Sequence, residues 1–184
     1  MEANTTKILI GTFFLILLVC VGILVYWWVS RVSSTRIFVD RKEGIEMRYP
    51  KTWTSQRSAD PLVLGLFVSP KENALDEVLE NVNITRTDLA VPMPLSQYVQ
   101  ETISQMTILD KIMKVQRSEP ENLGGKRGHR IVFFAATVPD MILDVHVIVS
   151  GMKAYNIMFT IAADQYEKYK PVIADIIRSV RFRF

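Results

Sequence analysis

The fold is decided by residues 130–161, which read RIVFFAATVPDMILDVHVIVSGMKAYNIMFTI. Three apolar segments rich in β-branched and aromatic residues, Arg130–Ala136, Met141–Val149 and Tyr155–Ile161, are separated by links of a few residues. Links this short join antiparallel strands, because a parallel strand needs a longer crossover. The stretch therefore predicts three consecutive antiparallel strands.

Apolar–polar alternation or β-branched runs predict further strands on the N-terminal side. One segment, Lys71–Glu80, is compatible with either a short exposed helix or an ordered loop. A turn signal at residues 121–125 precedes the three central segments. The further predicted strands are Arg36–Asp40, Ile45–Tyr49, Leu62–Val68, Val82–Thr87 and Ile112–Arg117.

Two helices are predicted from apolar residues that recur at a helical period. The first covers Leu95 to Met106, and the second covers Asp164–Ser179 with Asp164 as its N-cap. Pro171 removes one backbone donor, so we expect a kink there or a helix that begins near Lys170. The whole pattern predicts one α+β domain, an antiparallel sheet of about six or seven strands with helices packed on it.

Residues 8–29 read ILIGTFFLILLVCVGILVYWWV and carry no formal charge. As a helix they would extend about 33 Å, close to the thickness of the hydrocarbon core of a bilayer. Tyr26, Trp27 and Trp28 lie together at one end, where aromatic side chains prefer the membrane interface. This segment predicts one transmembrane helix.

Cleaved leaders fit the first segment less well. A secretory signal has a shorter apolar region and a small-residue cleavage site, and Val19 is not the small residue expected before a lipoprotein Cys20. The chain is therefore predicted to consist of a tail at 1–7, a transmembrane helix at 8–29, a tether at 30–35 and an α+β domain at 36–184.

Composition and motifs argue against nucleic-acid binding and catalysis. The chain has 22 Lys and Arg residues against 19 Asp and Glu, a net charge of +3, which is a small excess without a reading motif. It lacks a Gly-x-Ser-x-Gly elbow, and its single cysteine, Cys20, lies in the predicted membrane span. Gly124-Gly125-Lys126 lacks the spacing of a phosphate loop. We expect no enzyme, no catalytic residues and no cofactor.

The strongest local charge feature is residues 126–130, which place three permanent positive charges around a glycine. Such a cluster suits an acidic partner surface or anionic headgroups. The alternative is a solvated hairpin tip whose charge is balanced by Glu119 and Glu121. The candidate partner-binding residues are Lys126, Arg127, His129 and Arg130.

Asp144 and His146 lie two residues apart and share one face of a predicted strand. A carboxylate in that position can orient an imidazole for proton transfer or metal binding. The alternative is a hydrogen-bonded polar pair under a helix or at the sheet surface. Because a zinc site needs three or four ligands, and no Cys or second His is near in sequence, we predict no metal site.

Several short motifs resemble the PsbP family in order and spacing. Residues 44–53 read GIEMRYPKTW, which is similar to the family's opening G-x-x-x-x-YP-x-x-W. The strand Asn81-Val82-Asn83-Ile84, the turn Leu123-Gly124-Gly125 and the closing residues 166–182 are also similar. The likeness covers Arg36 to Phe184, nearly the whole predicted domain.

The resemblance implies an α-β-α sandwich around an antiparallel sheet. It also implies a non-enzymatic accessory or assembly subunit on the outer side of a bacterial membrane, where it docks on a larger complex. The expected partners are the lipid bilayer and subunits of a membrane protein complex. The alternative function is an extracytoplasmic sensor or carrier domain that binds a small ligand or metal.

Two observations give opposite predictions for the side of the membrane on which the domain lies. Lys7 lies before the predicted span, whereas Arg31, Arg36, Arg41 and Lys42 follow it. Because positive residues favour the cytoplasmic side, this count favours a cytoplasmic domain. The resemblance implies the opposite, and we expect a single-pass protein of the cell membrane with a periplasmic domain.

Overall fold

The computed structural model describes residues 16, 17, 19–23, 34–74, 76, 78–109 and 112–184. Most of the predicted span at 8–29 lies outside these residues, and so do Tyr26, Trp27 and Trp28. Residues 19–23 are helical. Among the described residues, no helix is both long enough and apolar enough to cross a membrane.

Arg36–Phe184 forms one compact unit. Its elements follow the order β1, β2, β3, β4, β5, α1, β6, β7, β8, β9, α2, β10. Their bounds are β1 Thr35–Asp40, β2 Ile45–Pro50, β3 Thr54–Gln56, β4 Val63–Val68, β5 Asn81–Asp88, α1 Leu95–Leu109, β6 Met113–Leu123, β7 Lys126–Ala135, β8 Met141–Ser150, β9 Lys153–Ala162, α2 Tyr166–Ser179 and β10 Arg181–Phe182.

The main sheet has seven antiparallel strands in the order β3-β4-β5-β9-β8-β7-β6. The predicted hairpins of residues 130–161 are confirmed as β7, β8 and β9, which are neighbours in this sheet. Strands β1 and β2 are also confirmed, but they leave the main sheet and pair with β10 in a separate three-stranded sheet. We call this second sheet the small sheet.

The main sheet is covered on both faces. Helix α1 packs on one face, where Val99 meets Ile131, Phe133 and Val145. Helix α2 and the inner face of the small sheet pack on the other face and form a second core with it. That core contains Met47, Tyr49, Trp53, Phe67, Ile84, Ile157, Phe159, Tyr169, Ile173 and Ile176, among others.

The described residues 71–74, 76 and 78–80 are not helical, which agrees with the ordered loop, one of the two forms expected for Lys71–Glu80. Two predictions for helix α2 were wrong. Helix α2 begins at Tyr166, so Asp164 is not its N-cap; Gln165 takes that position without a side-chain hydrogen bond. The helix continues through Pro171, so the start near Lys170 is also wrong. Burial of Tyr169 and Ile173 on either side of Pro171 offsets the one missing backbone hydrogen bond.

The predicted hairpin tip at residues 126–130 is the beginning of strand β7. Strand β6 continues to Leu123, so the turn contains only Gly124 and Gly125, both with positive φ. Gly128 is buried, and a Cβ added to it would lie 2.9 Å from the backbone oxygen of Val147 on the neighbouring strand. The sequence cluster is therefore a paired strand segment, not a loop.

Strand β6 forms one edge of the main sheet. Its register shifts between Val115 and Arg117, which marks a bulge or irregularity, and Pro120 lies farther along the strand. Bulges and proline both interrupt the row of backbone donors that an edge strand offers. The edge is therefore broken in two places.

Glu43 joins the small sheet to the main sheet. Its side chain is 1% exposed and lies 2.7 Å from Arg86 Nη1 and 2.9 Å from Lys153 Nζ. The hydroxyl of Tyr155 also donates to it, at 2.9 Å. Burial alone would raise the pKa of Glu43, but Lys153, Arg86 and Tyr155 outweigh burial and lower the pKa to about 2.

We expect Glu43→Gln to destabilise the fold by about 1–3 kcal/mol, because Arg86 and Lys153 lose their charged partner in a buried position. The folded-state pKa lies below the usual 4.5, so this stabilisation is present above that value and lost as the pH falls toward 2. Urea unfolding of the full chain in detergent between neutral and acidic pH checks this. Glu46→Gln, which affects one exposed ion pair with Arg183, serves as the control and changes stability by about 0.5 kcal/mol or less.

We expect Gly128→Ala to destabilise the fold by about 1–3 kcal/mol, because the new methyl group would push against the backbone of β8. The neighbouring Arg127 is exposed, so Arg127→Ala changes stability by about 0.5 kcal/mol or less. Thermal unfolding followed by circular dichroism measures both. Equal effects of the two substitutions would contradict the strand assignment.

Candidate functional site

A groove of about 870 Å³ runs between helix α2 and strands β6, β7 and β8. We call it the α2 groove. Val132, Ile173 and Ile177 give it an apolar strip. Charged side chains of both signs line it; Arg117 and Glu119 come from β6, and Lys170 and Arg178 come from α2. A surface that alternates in charge over an apolar strip suits a protein segment better than a uniformly charged ligand.

Asp144 lies at the base of this region with a side chain that is fully buried. Arg130 donates to both of its carboxylate oxygens, from Nε at 2.8 Å and from Nη2 at 2.6 Å. The hydroxyl of Tyr166 donates to the same carboxylate at 2.9 Å. The bidentate pair joins β7 to β8, and the tyrosine joins α2 to both strands.

These contacts shift the pKa values of all three groups. Burial would raise the pKa of Asp144, but the hydrogen bonds from Arg130, with the nearby His146, hold it far below its usual range. Hydrogen bonding to Asp144 outweighs burial and raises the pKa of Arg130. Burial and the Asp144 carboxylate raise the pKa of Tyr166 to about 12. At neutral pH the group is therefore one carboxylate, one guanidinium and one neutral phenol.

His146 is buried between two carboxylates. Its Nδ1 lies 2.9 Å from Glu121 Oε1, and its Nε2 lies 3.3 Å from Asp144 Oδ1. The second contact lacks hydrogen-bond alignment, so Nε2 has no hydrogen-bond partner. Burial would lower the pKa of His146, but the two carboxylates outweigh it and raise the pKa above the usual value.

This arrangement is suited to stabilising the fold and poorly suited to acid–base catalysis. Both oxygens of Asp144 accept hydrogen bonds from other side chains. Both nitrogens of His146 lie against carboxylates. A general base must reach the proton that it abstracts, and both side chains are almost fully shielded from solvent. The alternative of a polar pair beneath a helix describes Asp144 and His146 best, but the expected hydrogen bond between the two side chains is not formed.

The four predicted partner-binding residues do not form one surface. Arg127 and His129 line a small cavity of about 210 Å³ beside the start of α1, and His129 Nε2 lies 2.8 Å from the Ser118 hydroxyl. Lys126 lies on the other face, where Nζ donates to the backbone oxygen of Phe184 at 2.6 Å. Arg130 is in the α2 groove. The alternation of side chains along β7 separates them.

Sequence reasoning missed Tyr166, Glu121 and Arg130 as partners of the Asp144–His146 pair. Arg130 lies 14 residues from Asp144, and Tyr166 lies 22 residues from it. Strand register brings these groups together, and no local spacing signals it. Within the described part of the chain, no group of three or more His, Cys, Asp or Glu side chains is arranged to hold a metal ion.

Comparisons with known proteins support the fold. No family model matches the chain, and a search of curated proteins finds no match. Among solved structures, PsbP (CyanoP) from Synechocystis sp. PCC 6803 has a TM-score of 0.59 at 14% identity, over 82% of this chain and 93% of that one. The resemblance in sequence motifs therefore agrees with a similarity in three dimensions.

Two other solved structures share the architecture. LpqN, involved in cell envelope biogenesis of Mycobacterium tuberculosis, has a TM-score of 0.62 at 11% identity, over 82% of this chain and 91% of that one. The Ran-binding protein Mog1p of Saccharomyces cerevisiae has a TM-score of 0.58 at 9% identity, over 80% and 95%. At these identities the likeness establishes a PsbP-like fold and nothing about activity.

We expect Asp144→Asn to destabilise the fold by about 3–5 kcal/mol, because Arg130 loses its close buried partner and keeps only Glu119, at 3.8 Å. The same substitution lowers the pKa of His146, since one of its two carboxylates becomes neutral. Urea unfolding and an NMR titration of the His146 ring measure the two effects. Asp140→Asn in the exposed β7–β8 link is the control. An unchanged His146 titration in a folded Asp144→Asn variant would contradict the network.

Proposed function

We propose that this protein is a membrane-anchored, non-enzymatic accessory or assembly subunit whose domain docks on a larger membrane complex through the α2 groove. The groove is the single observation that carries the proposal. It is wide, it presents exposed charges of both signs, and its base is held by a buried network. The base of the groove is fixed, and the exposed charged side chains at its rim can change partners. Such a surface suits recognition of a protein partner, because the base loses little conformational entropy on binding.

The exposed charges of the groove and the buried state of its Asp144–His146 pair support a binding role. Arg117, Glu119 and Lys170 are 58%, 45% and 46% exposed at their side chains, so they can re-pair with a partner. Asp144 and His146 are already engaged within the domain. The groove therefore offers exposed charged side chains for contact with a partner.

The uncharged segment at residues 8–29 supports a single-pass anchor, and the PsbP-like fold supports an extracytoplasmic domain. Both expectations come from the sequence and its resemblance. Protease protection of the domain in sealed, oriented vesicles tests them together. Digestion from the extracytoplasmic side is the expected result, and digestion from the cytoplasmic side would overturn the orientation.

The docking site is tested with the tagged full chain purified from its native membranes in mild detergent. We expect it to co-purify with other membrane subunits, and we expect the charge reversal Arg117→Glu/Lys170→Glu to abolish that association. Arg57→Glu/Lys71→Glu is the matched control, because both residues are exposed and outside the groove.

Three outcomes would contradict the proposal. A chain that purifies alone at native expression has no stable complex. Equal loss with both double variants would place the contact elsewhere. Copurification of a small molecule or metal in place of protein subunits would favour the alternative function, a ligand-binding sensor or carrier.

A further inference from the structure

The outer face of the small sheet is basic. Residues 35–50 and 181–184, which contain the three strands and their turn, include six Lys and Arg residues against three Asp and Glu. All six basic side chains are exposed. They are Arg36, Arg41, Lys42, Arg48, Arg181 and Arg183.

The three acidic residues of the small sheet do not balance its six basic residues. Glu43 is buried and paired with Arg86 and Lys153, so its charge is neutralised inside the domain. Asp40 accepts a hydrogen bond from the backbone of Glu43 at 2.9 Å. Glu46 pairs with Arg183 at 2.7 Å. What faces solvent is therefore predominantly positive.

Two apolar side chains project from the same face. Ile37 and Val39 on β1 are 56% and 51% exposed. They alternate with Phe38, which points inward and contacts Phe67 with ring centroids 5.3 Å apart. Apolar side chains beside exposed arginine and lysine are the composition that suits the boundary between headgroups and acyl chains.

We propose that the outer face of the small sheet binds the surface of an anionic lipid bilayer. Ile37 and Val39 enter the headgroup region, while Arg41 and Lys42 of the β1–β2 turn and Arg48 of β2 contact lipid phosphates. Charge complementarity carries the choice of occupant, because an anionic bilayer offers many phosphates to a face on which basic side chains outnumber carboxylates. The proposal rests on the proposed function, in which the same chain is anchored in that bilayer.

The position of β1 in the chain supports this assignment. Residues 30–35 separate the apolar segment from Arg36, and six extended residues reach about 20 Å at most. A chain held in the bilayer by residues 8–29 would therefore keep β1 within about 20 Å of the surface. Such a tether raises the effective concentration of the face at the lipid.

The test uses the full chain in vesicles of phosphatidylcholine, with or without phosphatidylglycerol. In a Cys20→Ser background, Val39→Cys carries an environment-sensitive fluorophore, and Ile37→Cys is a second labelled variant. Val138→Cys in the β7–β8 link is the control, since Val138 is an exposed valine outside the small sheet. Quenchers attached to the lipid chains report contact with the bilayer.

We expect quenching at positions 37 and 39 with anionic lipid, weak quenching in pure phosphatidylcholine or high salt, and none at position 138. Arg41→Gln/Lys42→Gln/Arg48→Gln lowers the association constant of the face by on the order of a hundredfold, since each basic residue contributes roughly a fivefold factor. Arg57→Gln/Lys71→Gln/Lys114→Gln removes the same charge elsewhere and leaves the quenching unchanged.

Equal quenching at positions 39 and 138, or no dependence on anionic lipid, would overturn the inference. The inference would also be overturned, in favour of a protein partner, if position 39 were shielded from water-soluble thiol reagents in native membranes but not quenched in anionic vesicles. Alkaline extraction of the same vesicles tests anchoring separately. An extracted chain counts against the proposed function, whereas a retained chain without quenching counts against the lipid-binding face alone.

Discussion

The buried carboxylate of Glu43 determines how the two sheets of this domain meet. A carboxylate this deeply buried is tolerated when cations and hydrogen bonds compensate for lost hydration. Arg86 of β5 supplies one compensating group, and Lys153 and Tyr155 of β9 supply the others. The turn between β1 and β2 must therefore lie over these two strands of the main sheet. The inner face of the small sheet then reaches the aromatic core, and its basic face turns outward.

Asp144 is a second buried carboxylate whose compensating partners fix the position of an element, here helix α2. Its partners come from β7 and from the first turn of α2, so the helix is held to the sheet by a charged contact as well as by apolar burial. Glu43 and Asp144 thus position the two parts of one layer, the small sheet and helix α2. The α2 groove and the basic face both belong to that layer.

Local sequence patterns predicted the main sheet well, because the side-chain alternation of a strand is visible within a few neighbouring residues. Residues 130–161 alternate or run apolar over lengths typical of strands, and their links admit antiparallel pairing alone. The same reasoning failed at residues 126–130, because glycine and charged residues signal a turn whether or not a neighbouring strand pairs with them. It also missed the separation of β1 and β2 from the main sheet. That separation depends on β10, more than 130 residues away in sequence.

The candidate site was predicted in part. The spacing of Asp144 and His146 placed both on one face, because strand alternation is local. Their partners Arg130, Glu121 and Tyr166 arrive through strand register and helix packing, which no short motif encodes. The predicted basic cluster shows the opposite case. Adjacent charges in sequence were divided between two faces of β7 by the same alternation that united Asp144 with His146.

The interrupted edge of β6 has a consequence for how copies of this chain behave when concentrated. An unbroken edge strand can recruit a strand from a neighbour and begin a growing intermolecular sheet. In β6, the irregularity between Val115 and Arg117 and the ring of Pro120 leave no long continuous row for such templating. Two copies of the domain that meet at this edge are therefore expected to separate again without forming a shared sheet.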